Sequence, residues 1–313
     1  MVSLRRHLSR FRARVLRFIG LAACCALAAC DGSARTPDAQ TPASAYSAEL
    51  SIRFDVSAAK PASVSILGFR AASAGALVAG PDGPDVLGLV DPLSASAPTE
   101  GCVLHDVDLT ASALRTTGGS IDLEELGGVG VGLGASNAPA DTVIRPFPRV
   151  YPDVGGIVGG VVAEAGPQPL AALPEHVSLY SPATELPIAD LPVPALPRLL
   201  SINGSAPAEG ARIDASGGLT LVLGSAAGAL VELRPFGATV AVSCSVPANA
   251  STDAVVTVPR ALLRRLSVRE TPGGAVPVSL EIARRLRVRA PLSSVATRVS
   301  VETRSALAVE IRP

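Results

Sequence analysis

The sequence predicts an all-β protein: two β-sandwich-like domains joined by a proline-rich linker, with one short helix in the second domain. Many short segments alternate apolar and polar residues with the period of a half-buried strand. Gly, Pro, Asp or Ser bounds these segments, as in sandwiches and barrels. The 313 residues include 29 Gly and 27 Pro, with 48% hydrophobic and 3% aromatic residues. Long helices are therefore disfavoured, and the core must be aliphatic.

The first 29 residues predict a lipoprotein signal peptide. Six arginines and no acidic residue precede the apolar stretch Phe18–Ala29, whose twelve residues are too few to span a bilayer. The stretch ends in Leu27-Ala28-Ala29-Cys30, which resembles the bacterial lipobox, where the Cys thiol takes a diacylglyceryl group. Cys24 closes a second such pattern, but cleavage there leaves a much shorter apolar stretch. We therefore expect lipidation at Cys30, with Cys24 as the alternative.

Residues 30–45 are small, polar and proline-containing, which predicts a flexible tether. The first domain, residues 46–180, opens with the clearest strand, where apolar and polar residues alternate from Tyr46 to Val56. Further strands are predicted around Val64–Ile66, Val86–Val90, Cys102–Leu109, Ser120–Leu123, Val129–Leu133, Thr142–Ile144, Ile157–Ala163 and Val177–Tyr180.

Residues 181–198 carry five prolines, which predicts an extended linker with neither strand nor helix. The second, Ig-like domain follows at residues 199–313. Its helix is predicted at Arg260–Leu266, because Pro259 suits a helix start and the leucines share one face. Alternation predicts strands at Leu219–Leu223, Val240–Val246, Val255–Val258, Leu280–Val288 and Val295–Ile311.

The layout resembles predicted lipoproteins of high-GC soil bacteria. The residues that carry the resemblance are the lipobox at 27–30, and Cys244 followed by the segment Thr257–Leu266. Those lipoproteins have no established activity. The resemblance therefore implies an envelope location and a fold, and it contributes no function.

The charge distribution argues against a nucleic-acid-binding protein. After residue 29, the chain holds 21 basic and 27 acidic residues. Residues 259–313 are locally basic, with eleven Arg against four Glu. An acidic body with one basic end lacks the extended basic surface of such proteins.

Catalytic signals are scarce, so we predict no enzyme activity, metal or cofactor. Only His105 and His176 remain after the leader, and no spacing matches a zinc site. Ser178 lies near His176 without the Gly-x-Ser-x-Gly pattern. A catalytic role for Cys102 or Cys244 would need a neighbouring base.

The Gly-rich run Gly127–Ala135 contains a formal GxGxxA pattern. A dinucleotide site requires a helix directly after it, and Pro139 opposes one. The run instead predicts a Gly-rich strand or turn that another backbone approaches closely.

Cys102 and Cys244 are the only cysteines beyond the lipobox, and they fall in different predicted domains. Because Cys244 lies on an apolar strand face, we expect a buried, reduced thiol there. The alternative is an interdomain disulfide, which an oxidising compartment would favour.

Three arginines form a candidate surface contact. Arg285, Arg287 and Arg289 share one face of the strand predicted through Leu280–Arg289. They could attract anionic lipid head groups, a polysaccharide or the acidic first domain, or they could line an ordinary solvated face. Arg284 falls on the apolar face, which predicts a bulge or a side chain that extends to solvent.

These observations favour a lipid-anchored, non-catalytic binding or structural module of the cell envelope. Its partners would be the inner or outer membrane, through the lipid, and an envelope polysaccharide or protein. The alternative is a carrier that holds a small apolar ligand in a β cavity, and a hydrolase is the least favoured function.

We predict that Cys30→Ser releases the protein from membranes, because the thiol that carries the lipid is lost. Cell fractionation measures the release, and mass spectrometry of the mature parent should find an acylated Cys30 at its N-terminus. Cys24→Ser is the matched control and should stay membrane-bound. An unmodified N-terminus, or one that begins at Cys24, contradicts the prediction.

Overall fold

The computed structural model describes residues 46–57, 60–74, 101–106, 120–135, 142–154, 158–181, 186–236, 240–250, 253–267, 274–292 and 297–312. The predicted leader, lipobox and tether lie outside these residues, as does the strand predicted at Val86–Val90. Strands dominate the described chain, which confirms the all-β class. Among the described residues, no helix has the length and apolar character needed to cross a membrane.

In chain order, the described elements are β1 (Tyr46–Val56), β2 (Ser63–Ala74), β3 (Gly101–Asp106), β4 (Ser120–Glu125), β5 (Gly130–Gly134), β6 (Thr142–Ile144), β7 (Phe147–Val154), β8 (Val158–Pro169), β9 (His176–Tyr180), β10 (Pro187–Pro192), β11 (Arg198–Ile202), β12 (Ala211–Asp214), β13 (Leu219–Gly224), β14 (Ala229–Pro235), β15 (Val240–Ser245), β16 (Asp253–Val258), α1 (Arg260–Ser267), β17 (Val276–Ala290) and β18 (Thr297–Arg312).

One large sheet contains strands from the beginning, the middle and the end of the described chain. Its strand order is β3-β15-β14-β17-β18-β1-β2-β4-β8-β7, and β12 also pairs with β18. Two smaller sheets accompany it, one with the order β10-β9-β5-β6 and one with the order β11-β13-β16.

Each smaller sheet encloses an apolar core against the large sheet, so the described chain contains two sandwiches that share one sheet. The first core combines large-sheet residues with residues of the four-stranded sheet: Leu50, Ile52, Phe54, Ile66, Val131, Val177 and Leu179. The second core combines the large sheet, the three-stranded sheet and α1: Val231, Leu233, Val242, Leu280, Leu221, Val258, Leu263 and Leu266.

Two long strands, β17 and β18, belong to both cores. They pair without a break from Val276↔Ile311 to Ala290↔Thr297. At one end of β18, Val299 and Val301 enter the first core, while Val309 and Ile311 enter the second core at the other end. Because alternate residues of one strand share a face, a single uninterrupted strand can line both cores.

A polar position on β18 separates the two cores. Thr303 is fully buried between the two apolar groups of β18, and its hydroxyl donates a hydrogen bond to the Pro194 carbonyl at 2.7 Å. Pro194 lies in the segment that leads from the four-stranded sheet to the three-stranded sheet. The predicted linker therefore does connect two sheets, but it is also hydrogen-bonded to the large sheet at Pro194.

The predicted domain boundary needs correction. The large sheet contains strands from both sides of residues 181–198, because β1 pairs with β18 and β3 pairs with β15. Residues 45–313 consequently form one compact unit rather than separate units of 46–180 and 199–313. Local composition does not reveal which distant strands pair, so a proline-rich segment looked like a boundary.

The prediction that residues 181–198 form no strand is wrong. Pro187–Pro192 is β10, which pairs with β9 at the edge of the four-stranded sheet. Proline is tolerated on an edge strand where its missing N–H would point away from the neighbour. Pro187 and Pro192 stand at the two ends of β10, and Leu191 between them is buried in the first core.

The helix and the Gly-rich strand agree with expectation. The helix spans Arg260–Ser267, and Leu263 and Leu266 are buried. The Gly-rich run forms β5, where a Cβ on Gly130 would lie 3.3 Å from the Tyr180 side chain. The strand is therefore as predicted, but at Gly130 it is side chains of neighbouring strands, rather than a backbone, that approach closely.

Gly160 permits a close approach of two strands. Its φ is +133°, and a Cβ there would lie 2.1 Å from the Leu123 carbonyl oxygen. Leu123 and Gly160 are register partners in the parallel pair β4–β8. Only glycine allows this combination of backbone angle and contact.

Cys102 and Cys244 form a disulfide. They are register partners on β3 and β15, with their α carbons 4.0 Å apart. Cys244 is buried as predicted, but the expectation that it is reduced is wrong. Nothing in the residues near either cysteine indicates that β3 crosses to the second core and places the two sulfurs together.

We predict that the Cys102→Ala, Cys244→Ala double variant loses about 2–5 kcal/mol of unfolding free energy, since the bond closes a loop with a sequence separation of 142. Guanidinium denaturation measures the loss. Reductant should lower the midpoint of the parent and leave that of the double variant unchanged. A parent midpoint that reductant does not move contradicts the prediction.

Candidate functional site

The large sheet has an outer face, on the side opposite the cores, that carries many charged residues. Strand alternation creates this face on β1, where Ile52 points into the first core and Arg53 and Asp55 point outward. On the neighbouring β18, Glu302 and Arg304 are the register partners of Arg53 and Asp55. The polar side chains of these two amphipathic strands therefore lie side by side, in rows that run across the sheet.

Arg304 links three strands of the outer face. Its guanidinium donates to Asp55 on β1 and, at 3.1 Å, to Glu281 on β17. Burial lowers the pKa of Arg304, but Glu281 and Asp55 outweigh it and the net shift is upward. The arginine therefore stays charged and ties β1 to β17 and β18.

Two further ion pairs flank this link. Arg285 and Glu302 approach to 2.5 Å, and each side chain is only 6% exposed. Arg298 lies 3.0 Å from Glu49, which is buried. A buried charge is tolerated only with a partner, so these pairs fix the relative positions of β17, β18 and β1.

Glu232 on β14 lies directly opposite Glu281 on β17. Burial raises the pKa of Glu232 from its usual 4.5 to about 7, and the negative charge of Glu281 contributes to the rise. The Ser243 hydroxyl donates to the Glu232 carboxylate at 3.2 Å and opposes the shift. The Glu232 carboxyl group on the outer face therefore gains its negative charge near neutral pH.

An open groove lies on the outer face where β1, β2, β8 and β7 run side by side. We call it the outer groove, and its volume is about 330 Å³, within the usual range of small-ligand sites. The residues that line it are Ser51, Arg53, Ser65, Ile66, Leu67, Arg149, Val150, Tyr151, Val162, Glu164, Ala165, Gly166 and Pro167.

The outer groove combines hydroxyl, charged and aromatic groups. One Arg149 nitrogen donates to both oxygens of Glu164, at 2.9 and 2.8 Å, and the Arg149 side chain is 62% exposed. Tyr151 lies two residues further along β7, on the same face. Ser51 and Ser65 add hydroxyls. The groove is therefore suited to a ligand with many hydroxyl groups and some apolar surface.

The edge of the large sheet beside the outer groove carries prolines, which oppose the pairing of a further strand. Among the described strands, β7 stands at one end of the large sheet, and it contains Pro148 and Pro152. Proline has no N–H to donate to an added strand. A ligand of the outer groove would therefore contact side chains rather than extend the sheet.

The arginines predicted as a surface contact separate into two kinds. Arg285 cannot serve, because its side chain is buried against Glu302, and that part of the prediction is wrong. Arg287 and Arg289 are exposed, and their contact with an anionic surface stays a prediction. The bulge predicted at Arg284 is absent, since the β17–β18 register is continuous there, and Arg284 instead donates to the Ser225 carbonyl.

His176 and Ser178 meet at a common carboxylate. The Ser178 hydroxyl donates to one Asp190 oxygen at 3.1 Å, and His176 Nδ1 lies 3.1 Å from the other. A nucleophilic serine needs its hydroxyl directed at the histidine base. In this cluster the hydroxyl is directed at the acid, so the arrangement lacks the order of a catalytic triad.

Sequence reasoning missed the outer groove. One local signal was present: Phe147, Arg149 and Tyr151 occupy alternate positions of a strand in a chain with only 3% aromatic residues. Its other walls include strands about a hundred residues earlier in the chain. Only the pairing of β2 with β8 brings them together.

In the described part of the chain, no group of three or more His, Cys, Asp or Glu side chains is arranged to hold a metal ion. The two cysteines of the described chain are consumed by the disulfide. Comparison with protein-family models, curated proteins and solved structures finds no match to the chain. The chemistry of the outer face is therefore the basis on which function can be argued.

We predict that Glu232→Gln stabilises the protein above pH 7, on the order of 1–2 kcal/mol after allowance for solvent screening. With a raised pKa, native Glu232 holds a proton that the unfolded chain has released between pH 4.5 and about 7. The parent therefore loses stability as pH rises through this window.

Chemical denaturation at about pH 5 and about pH 8 tests the prediction, because the loss of stability falls between these two values. The difference between variant and parent should be large at the higher pH and small at the lower pH. Glu310→Gln is the control, because Glu310 pairs with an arginine that is 85% exposed. A pH-independent difference for Glu232→Gln contradicts the prediction.

Proposed function

We propose that this chain is an exported, lipid-anchored and non-catalytic binding module of the bacterial cell envelope, and that its ligand is an envelope polysaccharide held in the outer groove. The observation that carries the proposal is the composition of that groove. It places a tyrosine, an arginine–glutamate pair and serine hydroxyls on an open sheet face.

The disulfide supports export. Disulfides persist in the periplasm and outside the cell, and they are rare in the reducing cytosol. The Cys102–Cys244 bond joins two strands of the large sheet, so it belongs to the folded body of the protein. This agrees with the predicted leader and with lipidation at Cys30.

The groove chemistry supports a saccharide ligand. Sugar rings offer C–H faces to aromatic rings, and their hydroxyls both donate and accept hydrogen bonds. The Tyr151 ring can pack against the C–H face of a sugar. Arg149 can donate hydrogen bonds to the sugar hydroxyls, and Glu164 can accept them. Because the groove is open, it can admit a segment from within a long polymer chain.

The alternatives receive less support. A carrier of a small apolar ligand needs an enclosed apolar cavity, whereas the outer groove is open and holds an ion pair. A hydrolase needs a nucleophile directed at a base, and Ser178 is directed at Asp190 instead. Binding without turnover is therefore the function that we propose.

We predict that Tyr151→Ala and Arg149→Ala each weaken binding to isolated cell-wall polysaccharide about tenfold or more, since each removes a principal contact worth about 1–2 kcal/mol. Co-sedimentation of the purified protein with the polysaccharide measures the affinity, and a reducing-sugar assay checks that no bond is cleaved.

Two controls remove an aromatic side chain and an arginine far from the groove. Phe236→Ala removes an exposed aromatic near the second core, and Arg212→Ala removes an exposed arginine of β12. Both should bind like the parent. Equal loss in all four variants, absence of binding by the parent, or release of sugar would each overturn the proposed function.

A further inference from the structure

We infer that Phe147 is a further binding residue of the polysaccharide site, and that the bound ligand is a linear chain several sugars long that lies along β7. The inference rests on the proposed function and adds the minimum length and the direction of the bound chain. Phe147 is on β7 but is not among the residues that line the outer groove, so it extends the site beyond the groove.

Phe147 faces the same side of the large sheet as the outer groove. The register of β7 with β8 is continuous from Phe147↔Glu164 to Tyr151↔Gly160. Alternate residues of an uninterrupted strand share a face, so Phe147, Arg149 and Tyr151 point to the same side. Glu164, the register partner of Phe147, lines the outer groove. The Phe147 side chain therefore stands directly beside the groove.

The Phe147 ring is open to a ligand. The residue is 60% exposed, and β7 stands at one end of the large sheet among the described strands. An exposed ring contributes little to folding, because its apolar surface stays in contact with water. A single exposed apolar residue is common on protein surfaces. Phe147 differs from such residues because it shares its strand face with a tyrosine and an arginine of the outer groove.

The spacing of the two aromatic residues sets the length of the ligand. Phe147 and Tyr151 are four residues apart on β7, which corresponds to about 13 Å along the strand. One sugar ring cannot contact both aromatic rings at that distance, whereas a chain several sugars long can. Arg149 lies midway between them, and its side chain is 62% exposed. A chain along β7 therefore meets an aromatic, a polar and a second aromatic contact in succession.

Prolines hold both aromatic residues in extended backbone. Phe147 is followed by Pro148, and Tyr151 is followed by Pro152. Proline restricts the residue before it to extended backbone angles, because the proline ring clashes with the helical conformation of that residue. Among the described strands β7 pairs only with β8, so this restriction adds order that a second neighbour would otherwise supply. Binding costs less when the contact residues are ordered in advance.

Two contacts on one polymer chain reinforce each other. Once one sugar occupies the outer groove, the adjoining segment of the same chain is held at a high local concentration beside Phe147. The second contact then requires no further encounter between separate molecules. Affinity should therefore rise with ligand length until the chain reaches Phe147, and the rise should depend on the phenylalanine ring.

The test compares fragments of different length from partial hydrolysis of the isolated cell-wall polysaccharide. The short fragments are the shortest that bind, and the long fragments are several sugars longer. Isothermal titration calorimetry of the purified protein measures the dissociation constant for each. The parent should bind the long fragments about tenfold more tightly than the short ones, as expected for one principal aromatic contact.

Phe147→Ala should bind the long fragments only as tightly as the parent binds the short ones. Its binding of short fragments should equal that of the parent, which also shows that the variant is folded. Phe147→Tyr keeps an aromatic ring and should retain the length dependence. Phe236→Ala is the control, because Phe236 is similarly exposed, at 54%, and lies outside the groove. It should bind both kinds of fragment like the parent.

Three results would overturn the inference: full length dependence in Phe147→Ala, an equal loss for short and long fragments in that variant, or equal affinity of the parent for both. Tyr151→Ala separates these results from the proposed function, because it should weaken binding of short and long fragments alike. If Tyr151→Ala loses binding while Phe147→Ala matches the parent, only the inference fails. If the parent binds neither fragment, the proposed function fails and the inference fails with it.

Discussion

The pairing of β1 with β18 holds both sandwiches together. These strands come from opposite ends of the described chain and run parallel from Ala48↔Thr297 to Val56↔Ser305. On the core side the pairing places Val299 and Val301 beside the residues of β1, and on the outer side it allows Arg304 to reach Asp55. Parallel pairing needs a long connection between the strands, and in this protein residues 57–296 form that connection.

Strand positions could be predicted where the signal lies within the strand itself. Alternation identified β1 at its observed bounds and showed that residues 297–311 keep one parity, as the single strand β18 confirms. Pro259 and three leucines were enough to identify α1. Each of these signals comes from neighbours in sequence, and a residue's face in a strand depends on its position alone.

The partners of each strand could not be predicted in this way. The Arg304–Asp55 and Arg298–Glu49 pairs join residues 249 positions apart, and the disulfide depends on β3 crossing to the second core. Arg285 looked exposed because its alternation matched that of Arg287, but only Arg285 has Glu302 opposite it. The outer groove was missed for the same reason, since most of its strands contribute one or two unremarkable polar residues each.

The late position of β18 has a consequence for biosynthesis. A nascent chain that ends at residue 290 lacks Val299 and Val301 for one sandwich and Val309 and Ile311 for the other, so each is missing part of a wall. Contacts of such long range form slowly, because a large loop must close first. Neither sandwich can be completed before β18 has been synthesised. A premature stop before β18 therefore leaves both sandwiches open, with apolar residues of each core exposed to aggregation and proteolysis.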